Sequence, residues 1–194
     1  MWEILIMRND ILRPRILLLS MTIAVTPAIA SSAQATTPTA PEPSSPVDAS
    51  KLFVGQWVEI GRKPMKLTNS CVAGGTRYTS GKNGHVNVVD TCHEKTPAGK
   101  LKSISGPGTI LNPGVNTKLH VAYRFLGFLP VGRDYWILDH DDAYSWFISS
   151  NPQFTDLWIY TRDARPSPSL VKTLVGKAKS MGYDVSQLEF PAQP

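Results

Sequence analysis

Residues 53–62 read Phe53-Val54-Gly55-Gln56-Trp57-Val58-Glu59-Ile60-Gly61-Arg62, and the fold is decided by what this stretch begins. Residues 56–61 are a β-type run, and similar short runs follow it at roughly even spacing, separated by Gly, Pro, Asn and Asp clusters. Residues 72–80 and 85–92 flank Gly81-Lys82-Asn83-Gly84, a strong hairpin signal. Residues 101–111 come next, with an interruption expected at Gly106-Pro107-Gly108. In 118–125, Leu119, Val121, Tyr123 and Phe125 alternate with Lys118, His120, Ala122 and Arg124, the period of a half-buried strand. Residues 135–139, 144–149 and 157–162 complete eight runs.

The order of these elements narrows the architecture. Parallel strands need long, usually helical crossovers, and the strand runs here are joined by short turns, so the strands are antiparallel. Eight antiparallel strands can close on themselves, which removes exposed edges and leaves an interior that holds one small ligand. One helix comes last. Ser167 is placed to cap it, Pro168 suits its first position and Gly182 its stop. Leu170, Val171, Leu174, Val175, Ala178 and Met181 share one face, while Lys172, Lys177 and Lys179 lie off it. The prediction is an all-β, eight-stranded antiparallel up-and-down barrel with one C-terminal α-helix packed outside.

The ends of the chain read differently. Within residues 1–30, Arg8, Arg13 and Arg15 precede the apolar run from Ile16 to Val25, and small residues end at Ala30, the layout of a secretory signal peptide. Residues 31–48, rich in Pro, Ser, Thr and Ala, predict a flexible tether. The folded domain is expected over 49–190, with 191–194 as a tail. The cleavage region holds no Cys for lipid attachment, so a periplasmic or secreted location is expected. The formal charge of +5 is spread along the chain and lacks the clustered, aromatic-interleaved basic patch of a nucleic-acid binder.

There are two cysteines, Cys71 and Cys92, and an oxidising compartment favours a disulfide between them. With a four-residue turn at 81–84, Cys92 faces Ala73, and a bulge near Cys71 would bring the sulfurs together.

Three stretches together carry a family resemblance. Gly55-Gln56-Trp57 with Val58-Glu59-Ile60-Gly61-Arg62 resembles the G-x-W region of bacterial lipocalins. Residues 135–139 with Asp142-Ala143-Tyr144 resemble the second conserved region of that family, and 157–162, ending in Arg162, the third. The chain is similar to the apolipoprotein D-like and outer-membrane lipocalins over nearly all of residues 51–190. The resemblance implies a structural pairing of Trp57 with Arg162 and binding of a small hydrophobic ligand, of the fatty-acid or lysophospholipid class, in the cell envelope. Val58 departs from the aromatic common after that Trp, and the missing lipid-anchor Cys departs from the membrane-tethered members.

The histidines, His85, His93, His120 and His140, show no metal-ligand spacing, and Asp139-His140-Asp141-Asp142 falls where a turn is expected. No serine lies in a nucleophile elbow. Neither enzyme activity nor a cofactor or metal is expected. Candidate ligand contacts are Tyr78, Tyr123, Tyr135 and Trp146, with the inward face of each strand left open by the sequence. Residues 125–130 form an apolar loop open to three readings: a cavity lip, a peripheral membrane contact or a homodimer contact. The alternative functions are an enzyme on the same barrel that acts on a lipid or isoprenoid, with Glu59 and Arg77 as its candidate ionisable groups, and a structural envelope protein that uses the 125–130 loop to contact a partner.

Overall fold

The computed structural model describes residues 39–65, 70–81, 85–125 and 127–192. The expected signal peptide, the first part of the tether, the hairpin tip at 82–84 and Leu126 of the apolar loop lie outside the described residues. Eight strands, β1 (Gly55–Arg62), β2 (Cys71–Ser80), β3 (Val86–Glu94), β4 (Leu101–Ile110), β5 (Lys118–Phe125), β6 (Leu129–His140), β7 (Trp146–Ser150) and β8 (Leu157–Thr161), each pair antiparallel with the next. β8 returns to β1, so the sheet closes into a barrel.

The pleat divides each strand into two faces. One face of β1, β2, β3, β5, β6, β7 and β8 contributes Trp57, Tyr78, Val88, Val121, Tyr123, Ile137, Phe147, Trp158 and Tyr160 to a single inner cluster. The alternate residues Ile60, Trp146, Ile148 and Ile159 face outward and pack, with Leu157, under α2 (Pro168–Ser180). The Ser167 side chain caps α2 by accepting from the Leu170 amide, as the sequence predicts. The predicted apolar face of α2 packs on this outer cluster, and Leu174 and Ala178 are fully buried there. Gly182 ends the helix at φ +94, where a side chain would strain the backbone.

Four expectations need correction. β4 runs unbroken through Gly106-Pro107-Gly108 in its ladder with β3. These residues answer to close packing: a Cβ on Gly106 would stand 2.2 Å from the Ala122 carbonyl oxygen of β5. β6 begins at Leu129 rather than 135, because Gly132, Arg133 and Asp134 are recruited by pairing with β5 despite weak strand propensity. Tyr144 is not in a strand. It sits at φ 52 in a turn held by Asp141, whose carboxylate accepts from the Ser145 and Trp146 amides.

The fourth correction concerns the tether. Residues 39–48 lie along the outside of β6: the Ser44 amide donates to the Leu138 carbonyl, the Ala40 amide to that of Pro152, and Ala40 is buried against Trp136 and Leu138. Outward-facing apolar residues of β6 need a cover, and prolines hold the covering segment extended at low entropic cost. The segment leads into α1 (Ala49–Leu52), a short helix capped by Asp48 that the sequence reading missed.

The disulfide is present. Cys71 and Cys92 are joined with Cα atoms 5.4 Å apart. The turn is one residue longer than expected, so Cys92 pairs with Gly74, and a register shift between Cys71 and Ala73 brings the sulfurs together.

Candidate functional site

The two ends of the barrel are built from different material. At the end where β1 starts, the inner cluster is solid. Trp57 is fully buried, its indole Nε1 donates to the Leu52 carbonyl at 2.9 Å, and its ring meets Phe147 edge-on with centroids 4.7 Å apart. The Arg162 guanidinium lies over the Trp57 ring at 3.5 Å. It also donates to the carbonyls of Lys51, Val54 and Gln56. Arg162 therefore ties α1 and the start of β1 to the end of β8, and its planar fork matches these carbonyls in a way that Lys does not. Asn116 donates to the Val47 carbonyl and the Asp48 amide to the Tyr144 hydroxyl, so two further loops are stitched across the same end. Phe53 and Tyr78 complete the plug, edge to face at 5.4 Å.

Toward the opposite end the interior opens. Ile104 and Tyr135 pack on the inner cluster but are only partly buried. Asp90, two residues beyond buried Val88 on the same face of β3, is also partly open. Farther along, Phe125, Leu129 and Val131 are 43%, 45% and 39% exposed, and Phe128 in the β5–β6 turn is 67% exposed. The barrel is thus filled at its base and partly open at Asp90, Ile104 and Tyr135, with an apolar lip of Phe125, Phe128, Leu129 and Val131.

Two carboxyl groups, each with polar partners, organise the polar contacts of this interior. The first is Glu59, which pairs with Arg62 at 2.7 Å, both side chains being buried. Arg62 also donates to the Cys71 carbonyl and pairs with Glu189 of the C-terminal tail, which bridges β1 at Arg62. Burial drives the Glu59 carboxyl up to about 7, against the pull of Arg62. The second group is Asp90. The Tyr123 hydroxyl donates to Asp90 Oδ2 at 2.5 Å, and the Tyr123 and Tyr135 hydroxyls are 3.0 Å apart. Burial, followed by the Asp90 charge, raises both phenols well above their ordinary range, so both stay protonated.

The predicted ligand contacts separate accordingly. Tyr123 and Tyr135 meet in the upper interior, and Tyr78 belongs to the plugged base. Trp146 is placed elsewhere, on the outer wall under α2 with the Lys177 ammonium 5.1 Å from its ring centre. Of the two ionisable candidates, Glu59 faces the interior, whereas Arg77 is exposed and donates to Gln56. The histidines are dispersed: His120 meets Asp134 on the outer wall, His140 stacks on Tyr144, His85 meets Thr109 and His93 the Gly99 carbonyl. Among the described residues no group of three His, Cys, Asp or Glu could hold a metal. The sequence reading missed Asp90, Ile104 and Trp158. The alternation Val86, Val88, Asp90 on β3 was the available signal for Asp90.

Comparison with known proteins agrees with this architecture. A family model described as a lipocalin-like domain matches residues 47–193. Temperature-induced lipocalin-1 of Arabidopsis thaliana is 32% identical over 141 residues, 70% of this chain and 74% of that protein. Insecticyanin from the tobacco hornworm Manduca sexta superposes with a TM-score of 0.61 at 20% identity, covering 79% of this chain and 84% of its own. The cockroach allergen Per a 4 gives 0.58 at 15% identity, over 82% and 97% of the two chains. The last two likenesses are of fold.

Proposed function

Because the chain belongs to the lipocalin family, whose fold binds small hydrophobic ligands, we propose that it carries one lipid-like molecule, of the fatty-acid or lysophospholipid class, in the upper half of its barrel. The observation that carries this reading is the gradient inside the barrel, from the sealed Trp57 base to the partly open wall at Asp90, Ile104 and Tyr135. An acyl chain placed against that wall gains about 0.8 kcal/mol for each methylene removed from water. The reading has the protein store or transport its ligand without transforming it. The interior carboxyl closest to a catalytic role, Glu59, is engaged by Arg62.

The setting is part of the same proposal. The signal-type layout of residues 1–30 supports export, and with it a periplasmic or secreted carrier of bacterial type. The exposed lip of Phe125, Phe128 and Leu129 supports loading or release at a membrane surface, in keeping with a role in membrane maintenance. Displacement of a fluorescent fatty acid, combined with native mass spectrometry of the purified protein, tests the carrier reading. The expected result is saturable displacement with one ligand per chain. Absence of any bound or displaced amphiphile would contradict it.

A further inference from the structure

The polar chemistry of the upper lumen selects among head groups. Tyr123 has one hydroxyl proton, and it is given to Asp90. In the contact between the two phenols the donor must then be Tyr135. Protons thus run one way, from Tyr135 to Tyr123 to Asp90. What remains for a ligand is acceptor capacity: the lone pairs of the Tyr135 oxygen and the Asp90 Oδ1 atom. The Thr76 hydroxyl, opposite Asp90 in the β2–β3 ladder, leans toward the carboxylate without closing a full hydrogen bond.

Charge points the same way. Among the described residues, the charged groups on the inner strand faces are Glu59, Arg62, Asp90 and, nearer the mouth, Arg133 and the mutually paired Glu94 and Lys102. Glu59 has an ion-pair partner in Arg62, which it shares with Glu189. Arg133 lies 4.0 Å from Asp156 and donates to Met65 Sδ, reaching Asp90 at longer range only. Asp90 is left as the interior charge with no ion-pair partner among the described residues, and burial raises its carboxyl above the ordinary range despite the Tyr123 hydrogen bond. Aromatic rings stand nearby: Tyr135, whose hydroxyl joins the cluster, packs on Trp158 with centroids 5.3 Å apart. Aromatic walls favour a cation and do nothing for an anion.

We propose that Asp90, with Tyr123 and Tyr135, forms a head-group site for a protonated amine, so that the preferred ligand is a single-chain amphiphile with an ammonium head. The inference rests on the carrier reading and narrows it, since it ranks an ammonium head above a free carboxylate. The ligand tail lies toward Ile104, Phe125, Leu129 and Val131, and its ammonium donates to Asp90 Oδ1 and the Tyr135 oxygen.

Three probes with the same tail separate the possibilities: dodecylamine, dodecanol and dodecanoic acid, each titrated calorimetrically at neutral pH into the purified protein. The site predicts that the amine binds at least about tenfold tighter than the acid, with the alcohol between them. Asp90→Asn is expected to abolish that preference while leaving dodecanol binding within about threefold of the parent protein. Equal binding of all three by the unaltered protein, or preference for the acid, would overturn the head-group assignment and leave the carrier reading intact. Binding of none would overturn both. The comparison in the unaltered protein needs no variant, so the outcome does not depend on whether Asp90→Asn folds.

Discussion

The sealed base and the open mouth of this barrel are made by the same eight strands, yet they are held in different ways. The base is joined through side chains that reach backbone: Arg162 to three carbonyls, Trp57 to Leu52, Asn116 to Val47. At the mouth, β2 and β3 are clamped covalently by Cys71–Cys92, Arg62 ties in the tail through Glu189, and the β5–β6 lip projects apolar side chains outward. The contrast teaches a division of labour. Redundant contacts at one end fix the barrel's shape, which frees the other end to expose the apolar surface that ligand entry requires.

Substitutions should break this contrast unequally. The largest effect is expected at the base. Trp57→Ala removes a fully buried indole that Arg162, Phe147 and Leu52 all contact, and should lower stability by about 3–5 kcal/mol in chemical denaturation. At the mouth, the double change Cys71→Ser with Cys92→Ser releases a crosslink of sequence separation 21 and should cost about 3 kcal/mol. Hydrogen exchange should then quicken in β2 and β3 while α1 keeps its protection. Arg162→Lys keeps the charge but loses the planar fork, and a loss of about 1–2 kcal/mol is expected, read from the denaturation midpoint.

A smaller effect concerns pH. The Glu59 carboxyl stands near 7 in the folded protein, above its ordinary value of 4.5. Between those two values the folded state holds the extra proton, so this group's contribution to stability falls as pH rises through that window. The melting temperature of Glu59→Gln should therefore gain on that of the parent protein between pH 4.5 and pH 7, and the gap should be constant above it. The smallest effect is expected at the lip. Phe128→Ser alters a residue that is 67% exposed, so stability should change by less than about 0.5 kcal/mol, while transfer of ligand to or from vesicles should slow.

Much of this molecule was legible in the sequence, and the legible parts share a cause. The alternation in 118–125, the capping Ser167 with Pro168, and the Trp57–Arg162 pairing are local or strongly patterned signals, and each stands where it was expected. What escaped depends on neighbours far along the chain. Residues 39–48 are held by partners on β6 and the loop after β7, which composition does not reveal. Trp146 reads like the interior tyrosines because one strand of five residues with every position buried gives no alternation to read. Asp90 is hidden because a carboxylate on a strand reads as solvent-facing until the register with Val86 and Val88 places it on the inner face.

The central claim is that one ligand enters the mouth and rests on the upper inner wall. Amide chemical-shift mapping during titration with a single-chain amphiphile tests this most directly. The account predicts shifts at Asp90, Ile104, Tyr123, Val131 and Tyr135, with Trp57, Arg162, Leu174 and Ala178 unmoved. Shifts confined to the outer recess at Phe154, Tyr183 and Gln187, with the inner wall silent, would contradict it.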